Sequence, residues 1–189
     1  MFLKDYIKVY PKVISLENAS VLIRLSSKMF FKKAGISEKN IINEKIRNVN
    51  SYQLDPLDKS LSITHWARFL NFKIKNLMNN YLVDTKSMSF YNQINTVDQI
   101  EMLKYEKTFH YNFHVDDGPH FKRTLSCILF LNNDYDGGQL TFKDLKEEEE
   151  FTIENIPGSA IVWPSNFLYP HTVKPVEKGV RYSIVAWGH

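Results

Sequence analysis

The residues with the clearest chemical potential are His114-Val115-Asp116, inside Tyr111-Asn112-Phe113-His114-Val115-Asp116-Asp117-Gly118. Along an extended strand, successive side chains point to opposite faces, so residues two apart point the same way. His114 and Asp116 can therefore aim an imidazole nitrogen and a carboxylate oxygen at one point. One further histidine would complete a facial set of two imidazoles and one carboxylate, the set that holds non-haem Fe(II) and leaves coordination positions open. On its own, His-x-Asp is a common surface or loop tripeptide, and its meaning depends on what else the chain supplies.

The candidate third ligand is His171, in Tyr169-Pro170-His171-Thr172-Val173-Lys174-Pro175. It follows Asp116 by enough chain for several strands to intervene, which suits a wound β fold. His110 shares strand parity with His114 but lies too far along the strand axis to share an ion comfortably. His120 could reach only if the loop after Gly118-Pro119 folded back. Beyond His171, Arg181 opens the apolar stretch Arg181-Tyr182-Ser183-Ile184-Val185-Ala186-Trp187. Arginine is seldom buried without a partner. Its natural use there is a bidentate grip on a carboxylate, with Ser183 on the same face adding a hydroxyl. An arginine that reaches solvent from a strand end is the plainer alternative.

These residues need elements to position them. Residues 1–14 read as an extended lead-in. Ser15 is a good N-cap for a helix from Leu16 to about Lys33, with Gly35 as its terminal signal. Residues 36–60 are polar, with a short strand around Ile46 to Leu54. A second helix from about Ser62 to Leu82 carries Trp66, Phe69, Leu70, Ile74, Leu77, Met78 and Tyr81 on one broad apolar face. That stripe reads as core packed on a sheet.

From Ser87 onward the texture becomes short strands: 87–93, 99–105, 109–115, 125–132, 139–142, 151–154, 160–163, 171–173 and 181–186. Turn signals such as Asp136-Gly137-Gly138 and Pro157-Gly158 separate them. The run Glu147 to Glu150 reads as a solvated hairpin loop. Helices followed by many short strands describe an α+β chain whose β core is a sandwich or jelly roll buttressed by the helices. With no repeat and no linker, the expectation is one domain over 1–189. Residues 1–85 are its supporting helices and lead-in, and 86–189 its β core.

Composition narrows the class. Hydrophobic residues make up 43% and charged residues 24%, ordinary globular values that argue against disorder. No apolar run reaches membrane-spanning length. The N-terminal Met1-Phe2-Leu3-Lys4-Asp5-Tyr6 is interrupted by charge too early for a signal peptide. The single cysteine, Cys127, excludes an internal disulfide and fits a reducing, cytoplasmic setting. Net charge is +3, too small to argue for a nucleic-acid partner.

From about Ile100 to Trp187 the chain resembles the Fe(II)- and 2-oxoglutarate-dependent oxygenases, in their prolyl 4-hydroxylase-like branch. The matching residues, in order, are Tyr111-x-x-His114-x-Asp116, Arg123, Phe130-Leu131-Asn132 and Gly137-Gly138-Gln139-Leu140-Thr141-Phe142. They continue with Pro157-Gly158-Ser159-Ala160, His171-x-x-Lys174-Pro175-Val176 and Gly179-x-Arg181-Tyr182-Ser183. The resemblance implies a double-stranded β-helix (jelly roll, cupin-like). It implies Fe(II) held by His114, Asp116 and His171, and the distal carboxylate of 2-oxoglutarate held by Arg181. It also implies O2 as oxidant, ascorbate as an optional accessory, and succinate and CO2 as co-products of a hydroxylation.

Where peptidyl-prolyl members place a tyrosine before Leu-Asn, this chain has Phe130, which cannot donate. The missing hydroxyl is expected from Tyr111, whose spacing to His114 matches the family, or else from Tyr105, Ser183 or Thr124. Asp116 favours hydroxylation over the halogenation of relatives that lack the carboxylate. Trp187 stands where alkylated-base demethylases carry a second arginine, which counts against nucleic-acid repair. The implied substrate is a prolyl residue in a peptide or protein. Alternatives are a free amino acid or other small molecule on the same scaffold, or a non-catalytic cupin-like binding module. Oligomeric state stays open.

Overall fold

The computed structural model describes residues 3–36, 41–89, 93–118 and 122–189. Its strands are β1 (Lys8–Tyr10), β2 (Lys32–Lys33), β3 (Arg47–Asn48), β4 (Asn50–Gln53), β5 (Val97–Tyr105), β6 (His110–His114) and β7 (Leu125–Phe130). They continue with β8 (Asp136–Gly137), β9 (Leu140–Lys143), β10 (Glu150–Ile153), β11 (Ala160–Pro164), β12 (His171–Val173), β13 (Val176–Lys178) and β14 (Arg181–Gly188). Two α-helices precede most of them, α1 (Leu16–Ser26) and α2 (Leu61–Asp84). A seven-stranded sheet runs in the order β1-β11-β7-β14-β5-β4-β2 and a five-stranded sheet in the order β10-β9-β12-β6-β3, with β13 and β8 as a separate pair. Among the described residues the chain is thus mixed, mostly sheet, with two α-helices.

Alternation along the central strands sorts the interior into two layers. Ile100 and Met102 of β5, Cys127 and Leu129 of β7, and Ile184 and Ala186 of β14 pack with the helices. The apolar stripe of α2 supplies the other side of that layer through Trp66, Leu70, Ile74, Leu77, Met78 and Tyr81. The opposite faces of the same strands hold Leu103, Tyr105, Ile128, Phe130, Val185 and Trp187, which pack with Phe142, Val173 and Trp163. By the same parity, Ser126, Arg181 and Ser183 lie on that second face. Period two has therefore put every polar group of the central strands that matters below into the layer between the sheets.

The helices depart from expectation at their ends. Ser15 caps α1 by accepting from Asn18 N at 3.1 Å, but the helix stops at Ser26 instead of running to Lys33. The hydroxyls of Ser26 and Ser27 donate back to the carbonyls of Ile23 and Arg24. The chain then tightens, with Met29 N donating to Ser26 O. Lys32 and Lys33 become β2 by pairing with β4, so tertiary pairing overrides the helical pattern.

The strand expected across 46–54 is real but divided at the fully buried Val49. Its first half pairs with β6 in the smaller sheet and its second with β5 in the larger. The strand expected over 87–93 is corrected: Ser87–Ser89 is a 3-10 turn, its hydroxyl at Ser87 bonded to Thr85 past the end of α2, and 90–92 lie outside the described residues. The acidic run Glu147 to Glu150 links β9 and β10 as an antiparallel hairpin.

Candidate metal centre

β12 and β6 run antiparallel with His171 directly opposite His114. In the next register step, two residues of β12 face three of β6, because Val173 pairs with Tyr111. The extra residue is a bulge, which resets strand parity. Tyr111 and His114, an odd number of residues apart, consequently share a face. The Tyr111 ring stacks on the His114 ring at 3.5 Å between centroids and 15° from parallel.

His114, Asp116 and His171 converge, each offering one ligand atom, and those atoms all lie within 4.8 Å of one another. Asp116 Oδ1 is 3.7 Å from His114 Nε2, and Oδ2 is 3.6 Å from His171 Nε2. The remaining ring nitrogens are tied back: His114 Nδ1 to Asn112 O at 2.8 Å and His171 Nδ1 to Tyr169 O at 3.1 Å. A carbonyl can only accept, so each Nδ1 carries the proton and each Nε2 presents a lone pair inward.

Ser126 Oγ donates to Asp116 Oδ2 at 2.6 Å and is itself 2.8 Å from Ser165 Oγ. Arg123 Nη1 donates to the Asp116 carbonyl at 3.1 Å, Nη2 donates to Gln99 Oε1 at 2.7 Å, and the guanidinium lies 3.7 Å over the Trp187 ring.

The electrostatics fit a cation. Burial, followed by the neighbouring His171, pushes the His114 imidazole down to about 3, so it stays neutral as a ligand must. Burial alone would raise the Asp116 carboxyl. His171, His114, the Ser126 hydroxyl and Arg123 together outweigh it and hold the carboxyl below its ordinary value. Two imidazoles and one carboxylate, their nitrogens and oxygens turned inward, are the donor set that suits a divalent transition metal.

Arg181 is fully buried. Its Nη1 donates to Ser183 Oγ at 2.9 Å, and its guanidinium lies 5.1 Å from the Tyr105 ring and 5.9 Å from the Phe130 ring. Nε and Nη2 are buried with no hydrogen-bond partner, and no described carboxylate pairs with this guanidinium. Gly138 makes the close approach possible. It sits at φ +63°, and a Cβ there would come within 3.2 Å of Arg181 Cδ. Tyr105, the cross-strand partner of Arg181, shares one buried cluster with Phe142 and Trp163, the ring neighbours of His171. The unsatisfied guanidinium and the inward-facing triad thus occupy the same interior layer.

The other sequence candidates fall elsewhere. His110 is engaged by the carbonyls of Thr108 and Lys45 and is not part of the cluster; His120 lies outside the described residues. Tyr111 is held between the His114 ring and the Arg47 guanidinium, 4.9 Å away on its ring. Ser126, Ser165 and Arg47 are contributors that sequence reasoning does not pick out. A serine inside an apolar strand, as in Leu125-Ser126-Cys127-Ile128, is the one trace that Ser126 leaves.

Comparison with known proteins places this geometry. Residues 100–189 match the model of the 2OG-Fe(II) oxygenase superfamily. A PKHD-type hydroxylase of Synechococcus sp. (strain CC9902) is 33% identical over 118 residues, 60% of this chain and 51% of that protein. The chain spans about half the length of the curated relatives it matches first. The crystal structure of a Pseudomonas putida prolyl-4-hydroxylase superposes with a TM-score of 0.73 at 20% identity, covering 97% of this chain and 92% of the other. A Trichoplax adhaerens prolyl hydroxylase, solved with a peptide fragment of hypoxia inducible factor, gives 0.77 at 16% identity, covering 97% and 83%. At such identities the structural likeness is one of fold. Among the described residues, no helix is long and apolar enough to cross a membrane.

Proposed function

We propose, from the premise that residues 100–189 belong to the 2OG-Fe(II) oxygenase superfamily in its prolyl 4-hydroxylase-like branch, that the protein is a 2-oxoglutarate-dependent dioxygenase. Its substrate is a prolyl residue in a peptide or protein. Residues 1–189 are read as a single domain, because α1 and α2 share one buried cluster with β5, β7, β11 and β14. The two antiparallel sheets and the fold of the hydroxylase structures support a double-stranded β-helix.

In this reading His114, Asp116 and His171 hold Fe(II), and Arg181 with Ser183 takes the distal carboxylate of 2-oxoglutarate. Bound there, the iron, 2-oxoglutarate and O2 supply the oxidising power for C–H hydroxylation, with succinate and CO2 released. The protein's own work is positional. Asn112 and Tyr169 carbonyls fix the imidazole tautomers, and Ser126 fixes the carboxylate. Phe130, Phe142 and Trp163 exclude water from the layer between the sheets, which strengthens the charge interactions made inside it. Of the hydroxyls able to replace a tyrosine at Phe130, Ser183 stands closest to the guanidinium; Tyr105 is the next by register; Tyr111 is occupied by His114 and Arg47.

The observation that carries the proposal is Arg181, a buried guanidinium with two nitrogens unsatisfied, in the same interior layer as a metal-ready triad. A buried charge in that state asks for a carboxylate. The test is an anaerobic titration of Fe(II) and 2-oxoglutarate, read by the weak visible charge-transfer band of the ternary complex. A folded, iron-loaded sample with no such band would overturn the reading. Succinate released with a 16-mass-unit gain on proline-containing peptides is the expected turnover.

A further inference from the structure

The two imidazoles of the triad are held in different ways. His171 is walled in by the Phe142 and Trp163 rings, and its side chain is 4% exposed. His114 is the last residue of β6, and its side chain, at 16%, is the most open of the three. The bond from Nδ1 to Asn112 O fixes its tautomer but leaves the ring able to tilt about that bond. Among the described residues, only Tyr111 and His171 bring rings against it.

The Tyr111 contact has an unusual form. Its centroid lies 3.5 Å from that of His114, with the planes 15° from parallel. Stacked carbons already need about 3.5 Å between them, so the rings meet face to face with almost no lateral offset. Aromatic faces carry negative charge, and ring pairs ordinarily prefer an offset or edge-to-face arrangement. Arg47 supplies what relieves the repulsion. It is the cross-strand partner of Tyr111 on β3, and its guanidinium lies over the ring, 4.9 Å from the centroid and within cation–π range. The imidazole covers one face of the phenol, which leaves the other to the cation. A cation there draws π density toward itself and makes the His114 side less negative. Arg47 is anchored in turn: Nη1 donates to Gly35 O at 2.7 Å, and Nη2 stands 4.0 Å from Glu101 Oε2.

We propose that Arg47 is a positioning residue for the metal centre, acting on His114 through Tyr111. The guanidinium holds the phenol ring, and the ring holds the plane of the imidazole, so that Nε2 is aimed before an ion arrives. This rests on His114 being a metal ligand and adds the column Arg47–Tyr111–His114 to that reading. It gives the most exposed ligand the restraint that core packing gives His171.

The test uses the full chain, first without metal and then with Mn(II). In the metal-free protein, the ring current of Tyr111 should displace the His114 ring protons upfield in an NMR spectrum of histidine-labelled protein. Tyr111→Phe should keep that displacement, and Arg47→Met, which removes no ring, should lose most of it. Mn(II) affinity should fall roughly ten-fold in Arg47→Met and in Tyr111→Leu, and stay at the wild-type value in Tyr111→Phe. Adding Arg47→Met to Tyr111→Leu should cost nothing further, the non-additivity expected when one residue acts through the other.

Should Arg47→Met fail to fold because Glu101 loses its counter-charge, Arg47→Met/Glu101→Leu removes both charges and is read in the same way. An unmoved His114 signal on loss of Arg47 would overturn the proposal. So would wild-type Mn(II) affinity in Tyr111→Leu, or additive losses when the two substitutions are combined. The charge-transfer band of the Fe(II) complex judges the oxygenase reading separately, because neither the NMR displacement nor Mn(II) affinity depends on 2-oxoglutarate or on turnover.

Discussion

Replacing Arg181 by methionine, which is apolar and of similar length, should have effects of opposite sign with and without co-substrate. Without it, the variant loses the 2.9 Å bond to Ser183 and the ring contacts with Tyr105 and Phe130, together worth about 3 kcal/mol. It also removes a fully buried guanidinium with two unpartnered nitrogens, whose desolvation costs several kcal/mol. The net is a stability unchanged or raised by about 1 kcal/mol, a gain in Tm of roughly 2–4 °C for a chain of this size. In the complex, losing a buried charged partner costs about 2–5 kcal/mol, so the Kd for 2-oxoglutarate should rise at least about 30-fold. Differential scanning fluorimetry with and without 2-oxoglutarate, and calorimetric titration of the Mn(II)-loaded protein, give both quantities. A Tm lowered by several degrees without ligand, together with an unchanged 2-oxoglutarate affinity, would make Arg181 a structural residue and refute the reasoning.

Ser126→Ala removes the 2.6 Å bond that orients Asp116 and should weaken Mn(II) binding about 10- to 100-fold while leaving the fold intact, measured by the Mn(II) EPR signal. His171→Ala should abolish that binding at micromolar metal, and normal binding would dismiss His171 as a ligand. For the metal-free protein, the folded His114 value of about 3 lies below the ordinary 6.5, so the unfolded chain takes up the proton first. Stability should therefore fall as pH drops through the window between those values; a melting temperature flat from pH 7 to 4 would contradict this. Burial pushes the Cys127 thiol up to about 12, so iodoacetamide at pH 8 should leave the native protein unlabelled and modify it fully once unfolded.

Much of the site was readable because strand parity is a sequence property. Arg181 and Ser183, two apart, needed only the extended backbone of β14 to share a face, and His114, the last residue of β6, needed only Asp116 close behind it to bring the two ligand atoms together. The α2 stripe was equally plain. What the sequence could not announce were features decided by pairing partners. Lys32 and Lys33 look helical until β4 is alongside, and the division at Val49 exists because one strand serves two sheets. The β6 bulge, visible only as a register step against β12, put Tyr111 on the His114 ring. Ser126 and Ser165, thirty-nine positions apart and bonded to each other, belong to the same class of long-range fact.

Asp116 illustrates how the site is held. It lies past the end of β6, on a loop, where a carboxylate would ordinarily turn to solvent. Four contacts from other elements stop it. Arg123 grips its carbonyl and Ser126 its side chain. Asp117 N donates to Ser165 O, and Ser165 N donates to Thr124 O, which pins the loop to the ends of β7 and β11. The cation at Arg123 is in turn spread over Trp187 on β14. None of these restraints uses a metal, so the carboxylate is already aimed when the ion arrives, and little ordering entropy opposes binding. The same logic gives the helices their purpose: by packing on the far face of β7, β11 and β14, they stiffen the strands from which Asp116 is clamped and on which Arg181 is carried.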